Sequence, residues 1–336
     1  MEYTILGKTG LKISRLGFGG IPIQRIDAEG TAGLVDRMVQ AGINYIDTAR
    51  AYTVSEEYLG KALKGRRDQF VLATKCRAES KEQFAAGIDT SLKMLQTDYI
   101  DLYQFHNPSV SDFEALIAPG GALEAMEEAK KAGKIGHIGI TAHSLEVFRR
   151  ALETDWVETI MFPYNIVESQ GAELMDICHK KNIGFIDMKP MAGGAIEDKK
   201  LALRYVLSNP AVTVAIPGMA AAEELEQNLA ACSNTSPLTE EELKACEEVR
   251  AVLGNDFCRR CNYCAPCTAG ISIPSVFLFA GYLERYGLEG WAKERYDSLA
   301  VKADACVECG ECESRCPYHL PIREKMKKAA EEFSRI

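Results

Sequence analysis

The stretch FVLATKCRAESKEQFAAGIDTSLKMLQTDYIDLYQFH, residues 70–106, sets two short, β-branched, apolar runs on either side of one helical pattern. FVLATK and YIDLYQF read as strands. Between them Phe84, Ile88, Leu92 and Leu95 fall at helical spacing, and Ser80 with Gln83 forms a capping box at the helix start. Outward from this unit the alternation continues. RLGFGG, INYIDT, IGHIGIT, TIMFPY, IGFIDM and VTVAIP complete a set of eight strand-like segments separated by helical stretches. Eight βα units in a row predict parallel strands closed into an α/β structure, a (β/α)8 TIM barrel. Ahead of them, EYTILGKTGLKIS reads as a hairpin turning at Lys8 to Gly10, placed to plug the barrel's N-terminal end. After the eighth strand, AAEELEQNLAAC reads as a helix, and Thr239 with Glu242 caps another through LKACEEVRAVLG, which Gly254 ends.

A chain of 336 residues is long for one domain, but a barrel of about 250 residues with a small appendage accounts for it. The expected division is 1–250 for the barrel and 251–336 for a second, mainly helical domain. Its 39 basic and 48 acidic residues give a net charge of −9, which opposes loose binding to nucleic acid or anionic membranes. No run is long enough to span a membrane, VFLFAGYL being too short, and the N-terminus does not resemble a signal peptide. Many cysteines without an export signal read as thiols kept for metal in a reducing cytoplasm.

Of the twelve cysteines, eight fall in two C-terminal runs. The second, CVECGECESRCP, is the C-x2-C-x2-C-x3-C-P pattern of bacterial-type ferredoxins, in which the fourth cysteine of one run completes the other run's cluster. That pattern assigns Cys258, Cys261, Cys264 and Cys316 to one 4Fe-4S cluster and Cys306, Cys309, Cys312 and Cys267 to the other. The first run departs from it, with two residues between Cys264 and Cys267 and Thr268 where proline is usual. Zinc is the competing metal, but three successive C-x2-C steps suit a cubane better than paired hairpin sites. Cys76, Cys178, Cys232 and Cys246 stand alone and read as packing residues. Phe277, Phe279, Tyr282, Tyr286, Trp291 and Tyr296, between the runs, read as a packed helical linker.

Active sites of such barrels gather at the C-terminal strand ends. There the sequence puts Asp47, Tyr52 in the loop beyond it, Lys75 and His106. A tyrosine with a solution pKa of about 10 is a poor acid near neutrality until an ammonium stabilises its phenolate. Lys75 supplies that charge, Asp47 fixes Lys75, and His106 can donate to a carbonyl oxygen gaining negative charge.

These residues lie in GINYIDTARAY, which with SEEYLG, VLATK, DLYQFHNP, HIGITAHS, PYN, MKPMAGG and IPGM followed by Leu225 and Asn228 resembles the aldo-keto reductases over residues 2–235. The whole chain resembles the subgroup with a ferredoxin-like C-terminal domain. The resemblance implies an NADPH- or NADH-dependent oxidoreductase acting on a small carbonyl or quinone, with Tyr52 as general acid. It carries cofactor contacts onto Thr141, His143, Met161, Met188, Lys189, Gly193, Gly194, Gly218, Met219, Glu224 and Asn228. Ala142 beside His143, together with Met161 and Met188, departs from the family's usual nicotinamide-gripping residues. Gly218 and Glu224 stand where a base commonly meets the adenosine 2′-phosphate, which favours a free ribose hydroxyl. Lys189 could meet a pyrophosphate or a flavin phosphate. Hydride transfer moves two electrons and a 4Fe-4S cluster exchanges one, so the alternative expectation is a flavin such as FMN in the barrel mouth, fed by the clusters. A ferredoxin or other carrier is the expected electron partner. A non-catalytic electron-transfer or redox-sensing subunit is a further alternative, disfavoured by the retained acid–base set.

Overall fold

A computed structural model describes residues 1–77 and 80–336. Ala78 and Glu79, within the stretch quoted above, lie outside the described residues. The chain divides into two units, each with its own core. The first comprises Met1–Asn165, Ser169–Met191 and Asp198–Thr239.

In the first unit, β1 (Tyr3–Ile5) pairs antiparallel with β2 (Lys12–Ser14) around a 3-10 turn at Gly7–Thr9. The barrel follows, with β3 (Phe18–Gly19), β4 (Tyr45–Asp47), β5 (Val71–Cys76), β6 (Ile100–His106), β7 (Ile135–Thr141), β8 (Thr159–Pro163), β9 (Gly184–Met188) and β10 (Val214–Ile216). All neighbours run parallel in sequence order, and bridges from Leu16 to Ala215 and Gly19 to Gly218 close the ring between first and last strands. The hairpin sits under the barrel floor as its apolar residues require. Leu6 and Ile13 are fully buried with Tyr45, Leu102, Met161 and Ile186, and the Lys8 N–H donates to the Asn182 carbonyl just before β9. Gly7 has φ +52° and a Cβ there would meet the Gly184 nitrogen at 2.3 Å, so the turn needs glycine for both conformation and space.

The outer helices of this unit are α1 (Ala28–Ala41), α2 (Ser55–Ala62), α3 (Lys81–Met94), α4 (Val110–Ile117), α5 (Ala122–Lys131), α6 (Leu145–Leu152), α7 (Ala172–Lys180), α8 (Lys199–Leu207) and α9 (Ala222–Ala231). Helix α3 starts at the capping box of Ser80 and Gln83 and buries Phe84 and Ile88, as its pattern predicts. Glu158, at the entry to β8, accepts from the Ile138 N–H at 2.9 Å and from Lys130 at 2.7 Å, and pairs with His137 at 2.7 Å. Burial alone would raise this carboxyl, but those partners outweigh it and hold the pKa down to about 2. A depressed carboxyl stabilises the fold above its unfolded pKa of about 4.3, and that contribution is lost as pH falls towards the folded value. Glu158→Gln should therefore flatten the acid limb of the stability curve by on the order of 1–2 kcal/mol. Urea denaturation at pH 6 and pH 3 reads this directly, and equal acid losses in both proteins would refute it.

The second unit comprises Ile166–Glu168, Ala192–Glu197 and Glu240–Ile336. It holds α10 (Glu240–Leu253), α11 (Ile273–Glu284), α12 (Glu289–Asp297), α13 (Glu311–Ser314) and α14 (Ile322–Ser334). The position 250/251 thus falls inside α10, and Gly254 follows that helix directly. Ile273, Val276, Ala292, Met326 and Phe333 form the unit's core, and Tyr296 stacks on Phe333 with ring centroids 3.8 Å apart. Tyr282 stacks on Trp291 at 4.3 Å, so the aromatic residues between the cysteine runs pack the helices together.

Candidate active site and thiol-lined hollows

Strands β4, β5 and β6 carry polar side chains into the upper barrel. Lys75 Nζ bonds the Asp47 carboxylate and donates to the Thr48 carbonyl at 2.9 Å. Gln104 Nε2 donates to the other Asp47 oxygen at 3.1 Å. All three side chains are buried. Burial pushes the Lys75 ammonium down and the Asp47 carboxyl up, and each is pulled back by the opposite charge of the other. Tyr52, 9 % exposed in the loop after β4, lies with its ring centroid 5.1 Å from Lys75 Nζ. The His106 ring meets it edge-on at 6.0 Å. The four residues are thus brought together. Gln104 was missed from sequence, although a polar residue inside the apolar run YIDLYQF is the signal that finds it.

The candidate cofactor residues are placed unevenly. His143 directs Nδ1 and its backbone N–H to Asn107 Oδ1, both at 3.0 Å, and Lys189 Nζ lies 3.0 Å from His143 Nε2. With Lys189 as donor, Nε2 accepts and Nδ1 carries the ring proton. Thr141 Oγ1 accepts from the Asn107 N–H at 2.9 Å. Met161 is buried in the barrel's inner core with Met188 packed against it, and Met219 is buried in the outer core. Gly218 approaches Pro22 so closely that a Cβ would stand 2.6 Å from its ring. Glu224 accepts from the Ala220 N–H at 2.7 Å and lies 4.0 Å from Arg25, a base that sequence reasoning did not connect with this loop. Asn228 is buried, and its Oδ1 has no hydrogen-bond partner among the described residues. Gly193 and Gly194 fall in the second unit, where Tyr286 packs on Gly193 and Arg285 Nε donates to the Gly193 carbonyl at 3.1 Å.

Within the second unit the eight clustered cysteines surround two hollows. Cys258, Cys261, Cys264 and Cys316 line one. Cys267, Cys306, Cys309 and Cys312 line the other. Each ring draws three thiols from one run and its fourth from the other. None of these eight cysteines is joined in a disulfide. Four unbridged thiols facing a common space fit a 4Fe-4S cubane in donor type and number.

A closed parallel barrel with titratable side chains at its mouth, joined to a unit with two thiol-lined hollows, has the architecture of a redox enzyme. The Aldo/keto reductase family pattern matches residues 15–201 and 197–251, and the 4Fe-4S dicluster domain pattern matches residues 257–321. The chain belongs to the aldo/keto reductase family. It is 28% identical over 304 residues to L-galactose dehydrogenase of Arabidopsis thaliana, covering 75% of this chain and 94% of that protein. It is 36% identical over 192 residues to an aldo-keto reductase of Bacillus subtilis, covering 52% of this chain and 56% of the relative. The holo structure of an aldo-keto reductase from Bacillus halodurans is 28% identical and superposes with a TM-score of 0.66 over 74% of this chain and 96% of its own. The chain is an oxidoreductase of this family with a C-terminal dicluster-type domain. Among the described residues, no helix is long and apolar enough to cross a membrane.

Proposed function

We propose that residues 1–250 reduce a small carbonyl or quinone with NADH or NADPH, and that residues 251–336 hold two 4Fe-4S clusters that exchange single electrons with a ferredoxin or similar carrier. The observation that carries the barrel reading is the buried Lys75 ammonium, fixed by Asp47 and the Thr48 carbonyl and 5.1 Å from the Tyr52 ring. A bound nicotinamide supplies the hydride. Tyr52 supplies the proton, from a phenol whose ionised form Lys75 stabilises. His106, edge-on to Tyr52, polarises the carbonyl oxygen, and Asp47 with Gln104 keeps Lys75 aimed.

The donor set suits a dinucleotide best at its adenosine end, where the buried Asn228 oxygen is an acceptor that a ligand N–H would complete. Arg25 beside Glu224 offsets the carboxylate on which a preference for NADH would rest, so both nucleotides belong in the test. Cys258, Cys261, Cys264 and Cys316 would hold one cluster, and Cys267, Cys306, Cys309 and Cys312 the other, each supplying one-electron storage when bound.

Anaerobic reconstitution tests both halves. The expected product carries about eight iron atoms per chain, absorbs broadly near 400 nm and contains no zinc. It should oxidise NADH or NADPH when given an aldehyde, ketone or quinone. A flavin released on denaturation, with no turnover of either nucleotide, would replace the nicotinamide reading with a flavin one.

A further inference from the structure

The two thiol-lined hollows differ in the charge beside them. Arg259 lines the hollow of Cys258, Cys261, Cys264 and Cys316 and is 8% exposed. Its hydrogen bonds go to backbone carbonyls, from Nε to Val167 at 2.8 Å and from Nη1 to Gly254 at 2.8 Å and Phe257 at 3.1 Å. Carbonyls bring no charge to cancel its own. Its guanidinium rests 3.8 Å from the Tyr318 ring centroid, which fixes the cation in place. The nearby Glu168 carboxylate is held by Arg260 at 2.6 Å, so that pair is neutral.

At the other hollow the lining arginines are matched by carboxylates. Arg315 pairs with Glu311 at 3.4 Å and Arg323 with Glu313 at 2.8 Å. Glu308, exposed beside the exposed Cys309, adds a negative charge. Ile273, 3% exposed, lines both hollows. One electron added to a cluster adds one negative charge, and a buried cation stabilises that charge more than an exposed one does.

We infer that Arg259 makes the Cys258 hollow the higher-potential site of the pair, so that an electron entering on the exposed Cys309 side comes to rest beside Arg259. The step oxidises one cluster and reduces the other by one electron, with no proton moved. The inference rests on the cluster reading above. Arg259 is a positioning residue here, acting through charge.

The experiment is a potentiometric EPR series on the full-length reconstituted protein. Two one-electron waves are expected. Arg259→Gln should lower only the upper wave, changing its oxidised-to-reduced ratio at fixed potential about tenfold, or roughly 59 mV for one electron. Arg259→Lys, which keeps the charge, should restore it. In the unaltered protein a soluble dysprosium chelate should relax the signal of the second electron more than that of the first, because the first resides in the less exposed ring. An unmoved upper wave in Arg259→Gln with intact clusters would overturn the inference. So would a first-electron signal that the chelate relaxes more strongly. Absence of iron and sulfide after reconstitution would instead overturn the cluster reading on which it stands.

Discussion

Tyr52→Phe should lower carbonyl turnover by about 10²- to 10⁴-fold, the range a positioned general acid contributes, while leaving the fold and nucleotide binding intact. Phenylalanine fills the same space edge-on to His106 and keeps the ring 5.1 Å from Lys75, so the hydroxyl is the only group removed. The loss should appear in kcat and kcat/KM alike, because the proton is needed in the transition state and contributes little to ground-state binding. Single-turnover oxidation of NADH or NADPH under anaerobic conditions isolates this step from electron exchange at the clusters. Unaltered turnover would assign the proton to another donor and leave Tyr52 as a packing residue.

Asp47→Asn should destabilise the first unit by about 3–5 kcal/mol, because breaking a buried pair strands the remaining charge. Lys75 has 2 % of its side chain exposed and cannot reach water without disturbing the barrel. The sign of the pH dependence follows from burial, which lowers the Lys75 pKa in the folded state. Without Asp47 the pKa falls further, and the unfolded chain then binds a proton that the folded chain lacks. The variant should accordingly gain stability relative to the native protein as pH rises towards the ordinary lysine range. Denaturant curves at pH 6, 8 and 9.5 read this. A constant difference between the two proteins across that range would show that Lys75 stays protonated without its partner.

The barrel was legible because its signals are local. Strand-forming runs, the capping box at Ser80 and the helical spacing of Phe84, Ile88 and Leu92 each depend on near neighbours in the chain. The grouping of Asp47, Tyr52, Lys75 and His106 followed from one rule of the fold, that strand ends share a rim. What the sequence did not disclose depends on partners far apart in the chain. Gln104 on Asp47, Asn107 on His143 and Arg25 beside Glu224 join residues from separate βα units. Met161 and Met219 show the same limit, since membership of a cofactor wall or of a core is decided by which side of a strand or loop faces inward. The cysteine runs were the most legible metal signal because ligand pitch is written directly in the spacing. The charge setting around them was not, because Arg259 reaches Val167 and Arg260 reaches Glu168 across most of a hundred residues of chain.

The crossed sharing of thiols also orders events during synthesis. The hollow of the first run takes its fourth thiol from Cys316. A chain emerging from the ribosome therefore presents Cys258, Cys261 and Cys264 as an open three-thiol face until α11 and α12 have been made and α13 has carried the chain to its last cysteine. Cys267 waits in the same way for Cys306, Cys309 and Cys312. Neither ring can close before the second run has been translated, so a chain halted between the two runs holds neither site complete.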